Sequence, residues 1–447
     1  MKSFTTSYLA SFVLILAMAG AYSPIVIALP EGGGLTGSRE MEVSVIRGQS
    51  LEGLLGKEFK DYSVMAVVDG VLSPIPFQFD ERNEKGFLFV PGGKLEVDGT
   101  ENVLDEQDEL VFMYTDTGPQ ATPVQISAVS GNVVSEILVN DPAAGVAGYA
   151  YLVSGNTQRS DHHYTHFDSE TGKVETQKYS LDIDPDNLLS WSDLKYKDFE
   201  PGHSLIDTMK IRIKARVGFI KATINNNLIP NRVVAVKNGP VRTIIEVDAS
   251  ISILGVTLGE GGASVTINNQ SVQFPVYATI PRAAAMLSDL NIGIALDFHQ
   301  LEGAKVRTAL GPQEPIIAGG GGSNPEDHSV TLENDWLAGS TGNGYDIVAF
   351  FQGSEDFKPS LNFQYEDAGR DGAEDAPERY KGGHPQVGYY VSDIPTGQDI
   401  VVGVNLFFDD FLWKGDNIED AIAEIKNPAT ITLTPLTPAA PVVLAAD

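Results

Sequence analysis

The chain has 447 residues and a formal net charge of -30, from 60 acidic and 30 basic side chains. This acidity disfavours nucleic acid and anionic membranes as general partners, and the lack of cysteine excludes stabilisation by disulfides. The length suffices for two domains or one large β architecture, and 45 Gly and 25 Pro residues between short apolar runs indicate a β-rich protein.

The N-terminus has the pattern of an export signal. Lys2 precedes an apolar run at 8–21, and small residues after it offer cleavage points up to residue 28. An uncleaved membrane anchor is the alternative, but Pro24 and its polar neighbours interrupt the apolar run. We therefore expect a signal peptide at 1–28, a flexible leader at 29–40, and a periplasmic or extracellular mature protein with no membrane span after cleavage.

The next segment, 41–155, is predicted to form an N-terminal β domain. Its apolar runs are short, rich in β-branched or aromatic residues, and bounded by Gly, Pro, Asn or Asp. The predicted strands are 41–46, 62–68, 71–81, 85–90, 109–116, 124–129, 135–140 and 148–155.

A larger β domain is expected over 156–435, followed by an extended tail at 436–447. Within it, KNGP (237–240) is typical of a hairpin turn between two β-branched runs. Two short helices are predicted, over 281–290 and 416–427, the second with acids in its first turn and a lysine at its end. The predicted fold is mainly β, built of antiparallel β-sandwich units, with a large supersandwich as a variant.

Two stretches carry a family resemblance. PIPFQFDERN (74–83) followed by LDEQDELVFM (104–113) resembles a pairing in uncharacterised secreted bacterial β-rich proteins with a PxPFQxDE motif. The resemblance covers about 40 residues and implies no activity. In general strand pattern the chain is also similar to galactose-mutarotase-like sandwiches, which are common among polysaccharide-acting proteins, and this likeness concerns architecture alone.

The segment DAGRDGAEDAPE (367–378) partly fits a calcium-binding loop. Calcium requires several carboxylate oxygens around a tight turn that Gly permits. Position 3 of the twelve-residue template holds Gly369 in place of an acid, and the flanks do not have a helical pattern, so an EF-hand is excluded. A calcium loop in a β context and a solvated acidic loop both stay open. The candidate ligands for Ca²⁺ are Asp367, Asp371, Asp375 and Glu378.

A second acidic cluster, in VDGTENVLDEQDELVF, has looser spacing and no Gly at the turn. Its members either bind a metal or cap the backbone before the strand at 109–116. They are Asp98, Asn102, Asp105, Asp108 and Glu109.

DHHYTHFD (161–168) holds three of the seven histidines. On a strand, His162, Tyr164 and His166 would share one face. They are candidates for acid–base chemistry on a sugar, or for a transition-metal site completed by a neighbouring Asp. The alternative is a polar loop at a domain boundary. No G-x-S-x-G, Walker or H-E-x-x-H motif accompanies them.

The most unusual segment is 208–245, which has eight basic residues and no acidic residue. Within it, alternation places four like charges on one face of a strand, about 7 Å apart. Acids on neighbouring strands can neutralise them, with Glu246 and Asp248 as candidates. Otherwise the face binds an anionic ligand such as a uronate or sulfated polymer, which Arg can hold bidentately. The four residues are Lys210, Arg212, Lys214 and Arg216.

These features predict an exported binding or structural protein that engages polysaccharide or a cell-surface assembly. One alternative is a polysaccharide lyase or hydrolase that uses the 161–168 cluster. Another is a calcium-dependent adhesin or envelope scaffold.

Overall fold

The computed structural model describes residues 39–436, with gaps. Its described part contains 26 strands, two α-helices and five short 3₁₀ helices, so the protein is mainly β, as predicted. The gaps are residues 41, 84, 142, 198–203, 300, 312–313, 320–329, 332, 343, 354–359, 368–378, 381–384, 410–411 and 414–416.

The N-terminal unit is a sandwich of two antiparallel sheets. A three-stranded sheet has the order β1-β5-β4, and a five-stranded sheet has the order β26-β6-β7-β2-β3. The strands that build the two sheets are β1 (Val43–Arg47), β2 (Tyr62–Val68), β3 (Val71–Pro74), β4 (Phe77–Asp80), β5 (Glu109–Met113), β6 (Asn132–Asp141), β7 (Val146–Ser154) and, from the end of the chain, β26 (Thr430–Pro435).

Strand β5 is buried on both faces. Leu110 and Phe112 pack into the core between the two sheets. Val111 and Met113 face the other way and pack with Tyr164 and Val241 of the second unit. A strand covered on both sides has a continuous apolar sequence instead of an alternating one, which explains the run ELVFM.

Two predicted strands of this unit are wrong. Residues 124–128 of the predicted strand 124–129 belong to helix α1 (Pro123–Ala128), because Thr122 and Gln125 form a capping box and Pro123 occupies the first turn. Residues 85–90 make only an isolated bridge at Leu88. Their apolar side chains instead cover the second unit, where Leu88 and Val90 pack on Ile244.

The second unit contains three sheets, ordered β11-β10-β9-β8, β13-β12-β18-β24-β23 and β14-β15-β16-β17-β25-β22-β21-β19-β20. One continuous core joins the nine-stranded sheet to the other two. The strands are β8 (Thr165–Asp168), β9 (Lys173–Thr176), β10 (Tyr179–Asp184), β11 (Asn187–Tyr196), β12 (Ile206–Val217), β13 (Ile220–Asn225), β14 (Asn231–Asn238), β15 (Thr243–Ile253), β16 (Val256–Ile267), β17 (Ser271–Ile280), β18 (Ser288–Phe298), β19 (Lys305–Thr308), β20 (Ile316–Ile317), β21 (Trp336–Ser340), β22 (Asp346–Gly353), β23 (Ser360–Glu366), β24 (Gln386–Ser392) and β25 (Gln398–Asp409).

The helices of the second unit differ from the prediction in one case. Helix α2 (Glu419–Lys426) lies within the predicted 416–427, and the side chain of Asn417 accepts a hydrogen bond from the Glu419 amide. The helix predicted over 281–290 is wrong, since only a 3₁₀ helix at Arg282–Met286 forms and β18 begins at Ser288. Pairing of β18 with both β12 and β24 satisfies backbone groups that a helix would otherwise use. The other 3₁₀ helices are Gly48–Leu54, Phe59–Asp61, Tyr114–Asp116 and Asn226–Leu228.

The end of the chain returns to the N-terminal unit. Strand β26 pairs with β6. Residues 430–435, which were predicted to belong to the second domain, therefore complete a sheet of the first.

The predicted turn at 237–240 does join a hairpin, in which Asn238 pairs with Thr243. No helix in the described part of the chain is long and apolar enough to cross a membrane.

Candidate functional site

The outward side of the five-stranded sheet of the second unit is polar, and we call it the polar face. Side chains alternate between the two sides along each strand, so Ile213, Tyr389 and Leu361 face the core while the residues next to them in sequence face outward. The residues that define the polar face are Lys210, Arg212, Lys214, Arg216, Asn291, Gly293, Ala295, Tyr390, Gly388, Asn362 and Gln364.

One row across the polar face combines planar polar groups with an aromatic ring. In register, Arg212 of β12 lies beside Gly293 of β18, Gly293 beside Tyr390 of β24, and Tyr390 beside Asn362 of β23. Two strand spacings separate Arg212 from Tyr390, about 10 Å, and the glycine between them has no side chain to fill the space. Arg212 and Tyr390 therefore flank a buried glycine.

The adjoining row adds a second amide. Lys210 lies beside Ala295, Ala295 beside Gly388, and Gly388 beside Gln364. A Cβ placed on Gly293 would lie 3.0 Å from Oε1 of Gln364, so the side chain of Gln364 reaches across to lie over Gly293. The small residues of β18 and β24 thus leave room for this amide, which offers an acceptor and two donors.

Tyr390 contributes a phenol that stays protonated at neutral pH. Burial and the neighbouring carboxylate of Asp289 raise its pKa. The ring is half-buried and presents an apolar body with a hydroxyl tip. Such a group can pack on a C–H surface and donate a hydrogen bond at the same time.

The four basic residues of β12 differ strongly in exposure. Lys210 is 2% exposed and pairs with Asp297, which is fully buried. Arg212 is also buried, and its guanidinium donates a hydrogen bond to the carbonyl of the preceding residue, Ile211, at 3.0 Å. Lys214 is exposed, and Arg216 is half-exposed with an ion pair to Asp289. The solvent-facing positive charge is therefore concentrated at the Lys214–Arg216 end.

The carboxylates that pair with Lys210 and Arg216 lie on β18, not on β15. Glu246 accepts hydrogen bonds from the Lys94 and Leu95 amides, at 2.7 and 3.2 Å. Asp248 pairs with Lys94 and Arg232. Glu246 and Asp248 are thus the wrong partners for the β12 charges, because β15 belongs to the nine-stranded sheet and β12 to the five-stranded sheet.

Other cations of the acid-free segment reach the N-terminal unit. Asp80, from the stretch 74–83, is fully buried and accepts from Nζ of Lys237 and Nε of Arg242, each at 2.7 Å. Burial by itself would raise the pKa of Asp80, but Lys237 and Arg242 lower it to about 2. This carboxylate joins the two units through a charged hydrogen-bond network.

Glu109, from the stretch 104–113, extends the same network. Its carboxylate pairs with Arg242 at 2.5 Å, Arg82 at 2.8 Å and Arg47 at 3.0 Å. Gln78 adds neutral contacts, because its Oε1 accepts from the Arg242 amide at 3.0 Å. The two stretches that carry the family resemblance thus meet the β14–β15 hairpin at the junction between the units.

The second acidic cluster caps backbone groups. Oδ1 of Asp105 accepts from the Gln107 amide and Oδ2 of Asp108 accepts from the Asp105 amide, both at 2.8 Å. Burial raises the pKa of Asp108 to about 6 and that of nearby Glu81 to about 7. Four of the five members, Asn102, Asp105, Asp108 and Glu109, thus have protein partners. Metal binding by this cluster stays an untested alternative.

The His/Tyr cluster is divided between two environments. Strand β8 begins only at Thr165, so the expected common strand face does not form. Tyr164 is buried and donates to Oδ1 of Asp116 at 2.7 Å, while His162 and His166 are exposed. The rings of His162 and Tyr164 still meet edge to face, with centroids 4.6 Å apart.

Tyr164 is poorly suited to act as a base in its present environment. Burial and Asp116 raise the pKa of its phenol, and burial raises the pKa of Asp116 to about 6. The cluster also lies away from the polar face. Strand β8 is one edge of the four-stranded sheet, and β11 at the opposite edge is the strand that packs beside β12. The structure does not bring the two candidate sites together.

Most of the calcium candidate lies outside the described residues, including Asp371, Asp375 and Glu378. Asp367 is described and buried, and its Oδ2 accepts from the Gly319 amide at 2.9 Å and from the Tyr365 hydroxyl at 3.0 Å. In the described ranges, no group of three His, Asp or Glu side chains is arranged as a metal site. Calcium binding by 367–378 stays a prediction.

Sequence reasoning did not single out Tyr390, Gln364 or Asn362. A local signal was present, because LNFQYE (361–366) alternates apolar and polar residues. Which strands lie beside it was not visible, since the neighbours β24, β18 and β12 are separated from it and from one another by long stretches of chain.

No protein-family model matches the chain, and a sequence comparison with curated proteins finds no match. Among solved structures, an α-mannosidase from Enterococcus faecalis V583 overlaps with a TM-score of 0.48 at 11% identity, over 90% of this chain and 45% of its own. A glycosyl hydrolase family 38 protein from Enterococcus faecalis gives 0.49 at 10% identity, over 90% and 47%.

A heparan sulfate lyase, HepC from Pedobacter heparinus, gives a TM-score of 0.31 at 11% identity, over 63% of this chain and 42% of its own. The chain thus spans less than half the length of each of these three proteins. At TM-scores this low, the overlaps assign neither a fold family nor an activity to it.

Proposed function

We propose that this protein is exported and binds an acidic polysaccharide on the polar face. The observation that carries the proposal is the row Arg212–Gly293–Tyr390–Asn362, with the Gln364 amide over its glycine. A sugar ring presents hydroxyl groups for amides and guanidinium and a C–H surface for an aromatic ring, which is the combination of groups found here.

The charge distribution supports an acidic polymer over a neutral one. The chain as a whole repels anions, yet Lys214 and Arg216 face solvent at one end of the row. Arg216 can hold a carboxylate or sulfate with two parallel hydrogen bonds. A repeating anionic chain lying along β12 would meet these cations in succession.

The test is a set of binding titrations with polygalacturonate, alginate and heparin, with neutral dextran as a comparison. We expect binding of at least one acidic polymer at low salt. The affinity should fall steeply between about 0.01 M and about 1 M NaCl, as the Debye length falls from roughly 30 Å to roughly 3 Å. Binding to dextran should be weaker and indifferent to salt.

Paired variants localise the site. Lys214→Ala with Arg216→Ala should weaken binding about fivefold or more, since exposed ionic contacts are each worth up to about 1 kcal/mol. Tyr390→Ala should weaken binding without changing its salt dependence. Lys173→Ala with Lys195→Ala removes the same charge from exposed positions on the four-stranded sheet and should leave the affinity unchanged.

Two outcomes would contradict the proposal. One is that no acidic polymer binds at low salt; the other is that the Lys214/Arg216 variant and its control bind equally well. A reducing-sugar assay on the same polymers tests the enzymatic alternative. Release of products that is lost in His162→Ala would favour catalysis at the 161–168 cluster instead.

A further inference from the structure

A large apolar cavity lies inside the second unit, between the five-stranded and nine-stranded sheets. Its volume is about 190 Å³. This exceeds the roughly 150 Å³ of an engineered apolar cavity that stays dry and binds benzene. The sandwich interior is therefore not filled by its own side chains, although packed sheets normally interdigitate at close to crystal density.

Apolar residues on both walls remain only half-buried even though they face each other. On the five-stranded sheet they include Ile211 and Ile294, and on the nine-stranded sheet Val276, Val402 and Val404. All five pack against the core or line the cavity within it. Their residual accessibility means that the two sheets leave room between them for a water-sized or larger guest.

The cavity is long and narrow. Its lining includes residues from eight successive strands of the nine-stranded sheet, from Asn231 on β14 to Val306 on β19. Eight strands cover roughly 34 Å across a sheet. A volume of 190 Å³ distributed along such a path describes a slot between two walls, which suits a chain better than a compact ring.

The walls of the cavity are mostly aliphatic and aromatic, and the polar residues among them include Asn231, Lys305, Ser340 and Thr341. The Ser340 hydroxyl is already engaged by Asp346 at 2.5 Å. Water in the slot would find few hydrogen-bond partners along its walls. We propose that the slot binds a linear alkyl chain, a ligand class distinct from the polysaccharide assigned to the opposite side of the five-stranded sheet.

The test uses the full chain, purified without detergent, and a series of n-alkanols from hexanol to dodecanol in calorimetric titrations. Neutral alcohols are chosen because the net charge of -30 would repel alkanoates. We expect saturable binding of one chain per protein, strengthening roughly fourfold per added methylene until the slot is full. The heat capacity change on binding should be negative.

Val402→Phe places a larger side chain in the slot and should weaken dodecanol binding at least tenfold. Val401→Phe is the matched control, because Val401 is the preceding residue on β25 and points to the other side of the sheet. It should bind dodecanol within twofold of the wild type. If Val402→Phe does not fold, as judged by circular dichroism, Val404→Leu adds a single methylene and should weaken binding about fourfold.

The absence of saturable binding by any alkanol would overturn the proposal. So would an affinity that does not change with chain length, which would indicate adsorption to the protein surface. Equal weakening by Val402→Phe and Val401→Phe would likewise place the binding outside the slot.

Discussion

Replacing Asp80 by Asn tests whether the charged network at the junction holds the two units together. Asn has nearly the same shape, but it leaves two cations without their shared carboxylate. Arg242 is almost fully buried and Lys237 is mostly buried. Water therefore cannot readily take the place of the lost charge.

The expected loss of stability is about 3–5 kcal/mol, the range for breaking a buried ion pair by removing one partner. A second argument gives a similar size. The pKa of Asp80 is lowered from 3.8 to about 2 in the folded protein, which corresponds to about 2.5 kcal/mol of favourable interaction with the ionised form. Both values are large beside the total stability of a typical domain.

The measurement is urea unfolding at pH 7, monitored by tryptophan fluorescence and by circular dichroism. Asp193→Asn provides the control, because Asp193 and Lys195 form a partly exposed pair and its loss should cost at most about 1 kcal/mol. The dependence on pH gives a further signature. A carboxyl group whose pKa is lowered by folding contributes its full stabilisation of the folded state above about pH 4. That contribution is lost as the pH falls through about 2. The difference in the free energy of unfolding between Asp80→Asn and the wild type should therefore become smaller over that pH interval.

A free energy of unfolding for Asp80→Asn within about 1 kcal/mol of the wild-type value at pH 7 would contradict this prediction. A difference in stability between the two proteins that stays constant down to about pH 2 would contradict it as well.

Two further predictions concern other carboxylates. Burial raises the pKa of Glu81 from 4.5 to about 7, so the folded state retains a proton that the unfolded chain releases, and stability should decline as the pH rises from about 4.5 to about 7. Glu81→Gln should flatten this slope in melting temperature, and an unchanged slope would exclude Glu81 as its source. If 367–378 binds calcium, chelator should lower the melting temperature and calcium should raise it; Asp371→Ala should abolish that difference, and a wild-type melting curve indifferent to both would exclude a structural calcium site.

Much of the fold follows from local patterns in the sequence. Short β-branched runs between Gly, Pro, Asn and Asp predict a mainly antiparallel β protein, and the turn KNGP predicts the β14–β15 hairpin. Acids in the first turn and Lys426 in the last predict α2. Each of these signals depends on neighbours within a few residues, so no knowledge of distant contacts is needed.

The errors occur where a local pattern fits more than one structure. Residues 124–129 alternate like a strand, but capping by Thr122 decides for a helix. Residues 85–90 are apolar because they cover the second unit and not because they pair in a sheet. The run 281–290 contains three alanines and favours a helix by propensity, yet its last residues begin β18, in which Ser288 pairs with Arg216 of β12.

The candidate site shows the same division. Alternation of Lys210, Arg212, Lys214 and Arg216 with apolar residues predicts a strand with one charged face, and β12 has that form. The exposure of these four side chains was not predictable from the sequence. The buried Asp297 pairs with Lys210 and the exposed Asp289 pairs with Arg216, and both acids lie on β18, more than 70 residues further along the chain.

By itself, therefore, the sequence determined the β class, the two-faced character of β12 and the concentration of basic residues in 208–245. Only the tertiary structure decided which carboxylates pair with Lys210 and Arg216, that residues 430–435 return to the first unit, and that Tyr390 and the Gln364 amide lie beside Gly293. The physical reason is that side-chain period and turn chemistry are properties of adjacent residues. Strand order, burial and ion pairing instead depend on contacts between segments that the chain separates, and many alternative pairings satisfy the same local pattern.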